Sequence, residues 1–221
     1  LARAALLAGK HVLVEKPMAD TVEDCEAMIA TAKEKCRILA VNHSDLFDPV
    51  LMKALDALRR GLIGEAVSVD IIRSSEYPPY AGGPLPGSVA QGSYPFRDLG
   101  VHGLYTIEAF LGPITRLHVD YQALGSDPNL HFDEWQARLD AERGVGRLLL
   151  SWNARPMENR LFVRGTHGTI EVDRFLQTCR IHRVLPGPKF IGIVANAFSS
   201  AVLDVLRIPW NVIRFATGTL K

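Results

Sequence analysis

Three side chains have the types and spacing to do chemistry. Lys16 follows a short apolar run, His11-Val12-Leu13-Val14, and precedes Pro17. A lysine at the carboxyl end of a parallel strand faces the crevice where open α/β sheets take ligands. There it can donate to a substrate oxygen and stabilise developing negative charge. Its alternative is a solvated loop lysine. Asp98 and His102 stand four apart, a spacing that puts both on one face of a helix. The positive end of the helix dipole favours neutral imidazole, while a nearby carboxylate pulls the other way and can orient the ring. The pair reads either as a tuned general base or as a helix cap beside a core histidine. No third ligand accompanies it, so no metal is expected. His11, His43, His118, His131, His167 and His182 are scattered over strands and turns and read as structural or surface residues.

The elements that must position these residues follow from pattern. Residues 1–8 read as the end of a helix stopped by Gly9. The strand at 11–14 comes next. A helix over 21–35 places Val22, Cys25, Met28, Ile29 and Ala32 on one face, with Asp20 or Thr21 as its cap. A second apolar strand covers 38–41. This strand–helix–strand rhythm predicts parallel α/β structure. A helix-then-strand opening without Met, and with no strand before the helix, reads as a chain cut at its N-terminus.

From residue 48 the rhythm changes. A helix over 48–60 carries Pro49 in its first turn and stops at Gly61. Residues 66–72 alternate as a strand does. The stretch 74–95, rich in Pro, Gly, Ser and Tyr, reads as a long loop. A helix over about 98–111 follows. Strand-like runs then cover 114–123, 132–141, 145–152, 160–164, 169–172 and 177–184, with hairpin turns at 143–144 and 166–168. Successive strands joined by short turns pair antiparallel. The expected organisation is therefore residues 1–45 as part of a nucleotide-binding α/β domain and 46–221 as a second domain. That second domain would hold an open, mostly antiparallel sheet with helices on one face. The other face, judged by the apolar run 147–152, would be available for self-association. The segment 190–206 is long and apolar, but Asn196, Asp204 and Arg207 interrupt it, so it reads as a packed helix rather than a membrane span.

Composition removes several classes. With 48% hydrophobic and 22% charged residues in 221, the chain is neither disordered nor fibrous. A net charge of +1 supports neither a nucleic-acid partner nor a polybasic membrane anchor. Three cysteines, Cys25, Cys36 and Cys179, lack the spacing of a zinc ribbon or redox pair and suit free thiols in the cytoplasm. No glycine-rich dinucleotide loop, Walker loop or nucleophile elbow occurs.

Three segments together are similar to the Gfo/Idh/MocA oxidoreductases. Ala8–Pro17 resembles that family's Glu-Lys-Pro motif. Asp98-Leu99-Gly100-Val101-His102, with Leu111-Gly112-Pro113 after it, resembles the Asp-x-Gly-x-His helix and its ending. Arg164–Asp173 resembles a hairpin of the second domain. The resemblance implies an NAD- or NADP-binding Rossmann domain and reversible hydride transfer to or from a hydroxyl carbon of a sugar, cyclitol or related polyol. It implies a homo-oligomer formed through the second domain's sheet. It assigns Glu15, Lys16 and Pro17 to the cofactor, with Lys16–Pro17 cis. Catalysis would fall to Lys16, to His102 as acid/base and to Asp98 as its partner. Gly92–Arg97 is bulkier than the family's approach to that helix, so Tyr94 and Arg97 are expected to shape the substrate pocket. The residue that selects NAD or NADP would lie before Leu1, and this segment alone is expected to be inactive. Two other readings stand beside the dehydrogenase. One is a regulatory homologue that keeps the fold without turnover. The other is a variant that oxidises its substrate transiently during elimination or glycoside cleavage.

Overall fold

The computed structural model describes residues 1–76, 94–125 and 130–217. They form two units, Leu1–Phe47 and Asp48–Lys221.

In the first unit, helix α1 (Ala2–Leu7) leads through Gly9 into strand β1 (Val12–Glu15), and helix α2 (Val22–Glu34) leads to strand β2 (Leu39–Asn42). Gly9 has φ +75°, a left-handed conformation that suits glycine at a helix end. Thr21 caps α2 by accepting from the Asp24 amide at 3.1 Å, and Glu23 and Asp24 oppose the helix dipole. The two strands pair in parallel, Val12 beside Leu39 and Glu15 beside Asn42. Leu6, Met28 and Ala32 form the small core where α1 and α2 meet.

In the second unit, Asp48 caps helix α3 (Pro49–Arg59) by accepting from the Val50 amide. Its other carboxylate oxygen accepts from Arg174 at 2.8 Å, tying the helix start to a distant turn. Strand β3 (Ala66–Ser74) follows. A π-wound turn (Phe96–Gly100) runs directly into helix α4 (Val101–Leu111). Six strands complete the sheet: β4 (Ile114–Gln122), β5 (Glu134–Ala141), β6 (Gly144–Ser151), β7 (Asn159–Gly165), β8 (Gly168–Asp173) and β9 (Thr178–Arg183). Helix α5 (Lys189–Ala216) closes the described chain.

The seven strands lie in the order β4-β5-β6-β3-β7-β8-β9. Most pairs are antiparallel, but β3 and β6 run parallel, Asp70 beside Arg147. The strands joined by short turns do pair antiparallel, as expected, while β3 pairs across the sheet with strands far along the chain. The return through α4 brings β3 into the middle of the sheet, between two three-stranded meanders. Helices α3 and α4 pack on one face. Val69, Ile71, Leu148, Leu150, Val163 and Ile170 point at them and are buried. Each such side chain contributes about 1.5–3 kcal/mol of transfer free energy.

The opposite face is not the apolar surface expected from 147–152. Leu148 and Leu150 turn inward at 1% exposure, and only Leu149 joins Arg147 on the outside. Strand registers instead line up a lateral row of mostly charged residues: His118, Arg138, Arg147, Asp70, Phe162, Glu171 and Arg180. Asp70, buried at the centre, accepts from Arg147 at 2.6 and 3.0 Å and also pairs with Arg164.

The segment 190–206 is helical, as expected, but it does not pack by its apolar side. Helix α5 meets β9 through polar residues. Asn196 donates to the Arg183 carbonyl at 2.9 Å. Asp204 accepts from Arg180 at 2.8–3.1 Å. Asn211 donates to the Leu176 and Gln177 carbonyls, both at 3.0 Å. Its most apolar stretch is 0% buried.

Candidate active site

In the first unit, Lys16 lies just past the carboxyl end of β1, half-buried. The parallel pairing of β1 with β2 fixes that end, and Asn42, at the matching end of β2, donates to Glu15 at 2.6 Å. The Lys16–Pro17 bond is cis. The Arg155–Pro156 bond is cis as well, which no motif announced. Glu15, Lys16 and Pro17 thus sit at the carboxyl end of a parallel strand pair.

In the second unit, the helix that carries His102 is held against the sheet by glycines. A Cβ at Gly103 would meet Leu148 at 2.6 Å, and one at Gly146 would meet Ile107 at 2.6 Å. The close approach leaves His102 8% exposed. Its Nδ1 lies 2.5 Å from the Tyr105 hydroxyl, and the two rings meet edge-on with centroids 5.5 Å apart. Tyr105 is itself buried. A neutral histidine with its proton on Nδ1 donates to that hydroxyl oxygen and keeps its lone pair on Nε2, the form a base needs.

Asp98 lies in the π-wound turn one step before α4, where the backbone pattern is i→i+5 rather than i→i+4. Its carboxylate accepts from the Tyr94 hydroxyl at 3.4 Å. Tyr94, Arg97 and Asp98 are all half-buried. Phe96 sits over Gly100, whose Cβ would meet the ring at 2.8 Å, and stacks at 5.4 Å on Trp135. Trp135, Tyr121 and Phe132 extend this aromatic group beside the turn. Gly92 and Ser93 lie outside the described residues.

The structure therefore gathers Tyr94, Arg97, Asp98 and His102 on one turn-plus-helix and places Lys16 at a strand end of the other unit. Sequence reasoning missed Tyr105 and Asn42. Tyr105 could have been found as a hydroxyl three residues from His102, within reach across one helical turn. Asn42 carried no such signal, because its role depends on strand register. A wide groove of about 1050 Å³ lies elsewhere in the second unit, between the ends of α3 and α4 and the β7–β8 turn, and none of these residues lines it. Among the described residues no cluster of metal-ligating side chains occurs.

The chain thus combines a short parallel α/β unit with a seven-stranded mixed sheet on which a helix carries a buried histidine. The sequence profile of the "Oxidoreductase family, NAD-binding Rossmann fold" matches residues 1–43, and that of the "GFO/IDH/MocA C-terminal domain" matches residues 51–171. The chain belongs to the Gfo/Idh/MocA oxidoreductase family. It is 34% identical over 109 residues to a 1,5-anhydro-D-fructose reductase of Ensifer adhaerens, covering 49% of this chain and 32% of that protein. It is 36% identical over 110 residues to a dTDP-3,4-didehydro-2,6-dideoxy-alpha-D-glucose 3-reductase of Streptomyces antibioticus, covering 50% and 33%. Among solved structures, an NAD-binding oxidoreductase from Klebsiella pneumoniae superposes with a TM-score of 0.74 at 22% identity, over 86% of this chain and 54% of that one. Levoglucosan dehydrogenase in complex with NADH gives 0.73 at 21% identity, over 84% and 54%. The chain thus spans about half of those solved chains, and its matches cover about a third of the two reductases.

Proposed function

We propose that this protein is an NAD(P)-dependent oxidoreductase that moves a hydride between a nicotinamide and a hydroxyl carbon of a sugar, cyclitol or related polyol. The observation that carries this reading is the buried His102, its Nδ1 held by Tyr105, in a chain of this family. The names of its relatives, a sugar reductase and levoglucosan dehydrogenase among them, support the substrate class.

The carboxyl ends of β1 and β2 fit the nicotinamide end of the cofactor, with Glu15, Lys16 and Pro17 as its neighbours. No glycine-rich phosphate loop is present among the 221 residues to hold the pyrophosphate. When bound, the nicotinamide supplies a two-electron hydride acceptor or donor. In the oxidative direction His102 takes the hydroxyl proton at Nε2 while Nδ1 stays on Tyr105. In the reductive direction the same nitrogen returns the proton. Lys16 donates to a substrate oxygen and favours its alkoxide-like form. Asp98 and Tyr94 hold the turn that precedes His102, and Arg97 adds a positive charge beside it. Self-association through the open sheet face belongs to the same reading, supported by the row of charges and by exposed Leu149.

The test is turnover by this segment joined to a complete nucleotide-binding domain, with NAD or NADP and a panel of inositols, aldoses and anhydrosugars, followed by the absorbance of the reduced nicotinamide. Oxidation of at least one polyol is expected. Tight cofactor binding without turnover on any of them would overturn the catalytic reading.

A further inference from the structure

We infer that α5 is a membrane-interface anchor: it holds the protein by its polar stripe and lays its apolar arc on an anionic bilayer surface. The helix is built inside out for a soluble protein. Asn196, Ser200, Asp204 and Asn211 recur at helical spacing, and this is the side bonded to β9 and the turn before it. Eleven large apolar side chains of α5 stand 41–74% exposed. Val194, Phe198, Val205 and Val212 mark the centre of that arc, and Leu206 and Ile213 widen it. Soluble monomers rarely leave contiguous apolar patches beyond a few hundred Å².

The width of the arc selects its occupant. A second copy of the helix would cover a seam of positions spaced four and three apart, and such seams are flanked by charged residues. Here the flanking positions Ile191, Val202, Leu206 and Ile213 are apolar too. A fluid hydrocarbon boundary covers so broad a convex arc, and a single helix does not. Charge agrees. The only acid of α5, Asp204, is bound by Arg180, while the exposed Lys189 and Arg207 stand beside the arc. That leaves a cationic margin for anionic headgroups. Trp210, 60% exposed, is the side chain favoured at headgroup depth.

The helix is long and apolar enough to cross a membrane, but two features place it along the surface instead. Its polar stripe is bonded to β9 and to the turn before it, from Asn196 to Asn211. Pro209 has no N–H for the carbonyl one turn before it, a group that hydrocarbon penalises and the hydrated interface satisfies.

Flotation of the full chain with vesicles tests this. With phosphatidylcholine–phosphatidylglycerol vesicles the protein should float, and less of it with phosphatidylcholine alone. Brominated lipids should quench Trp210, since Trp135 and Trp152 are buried. The double variant Phe198→Glu/Val205→Glu should cut the floated fraction roughly tenfold or more at unchanged Tm, because both side chains are exposed. Three results would each overturn the inference. One is a monomer that does not float, which shows the arc covered by protein. Another is a lipid-free oligomer that the double variant dissociates while the wild type does not float. The third is equal flotation of wild type and variant.

Discussion

His102 and Tyr105 form the smallest unit whose behaviour follows from the structure. If His102 exchanges the hydroxyl proton, His102→Ala should lower turnover by roughly two to four orders of magnitude and leave nicotinamide affinity nearly intact. Wild-type turnover in that variant would return His102 to a packing role. Tyr105→Phe is the sharper probe. It removes the oxygen that fixes the Nδ1 tautomer, so kcat should fall by about tenfold or more and the pH–rate profile should shift, with KM little changed. A purely structural Tyr105 would lower Tm and leave the profile in place. Cys179 gives a prediction independent of catalysis. Burial pushes its thiol above the ordinary value of 9.0. In the unfolded chain the thiol ionises first, so the folded state holds the extra proton and stability falls as pH rises through that range. Denaturant titrations should show this alkaline loss above about pH 9, and Cys179→Ala should reduce its slope.

At the scale of elements, α4 is set by its fit to the sheet. A methyl at Gly103 would enter the space of Leu148, whose side chain is 1% exposed. Overpacking costs about 1–3 kcal/mol, while alanine gains about 0.8–1 kcal/mol of helix propensity over glycine. Overpacking wins, and Gly103→Ala should lower Tm and reduce activity through the displaced His102. An unchanged Tm would show that the helix has room to shift. These elements were largely legible in the sequence. Alternating burial in Trp135, Ala137 and Leu139 follows the period-two pattern, and the cap at Thr21 lies where the residue types predict. The parallel pairing of β3 with β6 was not legible, because it depends on where α4 returns the chain. The π-wound turn before His102 left no mark in residue type. The orientation of α5 was hidden for a different reason: a helical wheel shows how wide a polar stripe is, not which side meets the protein.

The whole second unit presents two unlike surfaces, and each predicts its own response to solution conditions. On the open sheet face, Arg138, Arg147, Arg164, Asp70 and Glu171 are charged and mostly partly exposed. An oligomer formed there should weaken as salt rises, because screening at about 8 Å under physiological conditions shortens further. Sedimentation at micromolar protein over a salt series should show association at low salt and progressive dissociation. A monomer throughout, or an oligomer indifferent to salt, would remove this face as the interface.

The long helix has a geometrical consequence as well. At 28 residues it runs about 42 Å, and it is pinned to β9 and the turn before it at several points along that length. It therefore cannot roll about its own axis without breaking those bonds. With its bare side on a lipid sheet, the second unit would be held at a fixed bearing. β9 would keep to the surface, and β4, the opposite edge of the same sheet, would always be the strand farther across the sheet. Such a molecule would meet anything carried in the same leaflet by searching a plane instead of a volume, in one orientation rather than all of them.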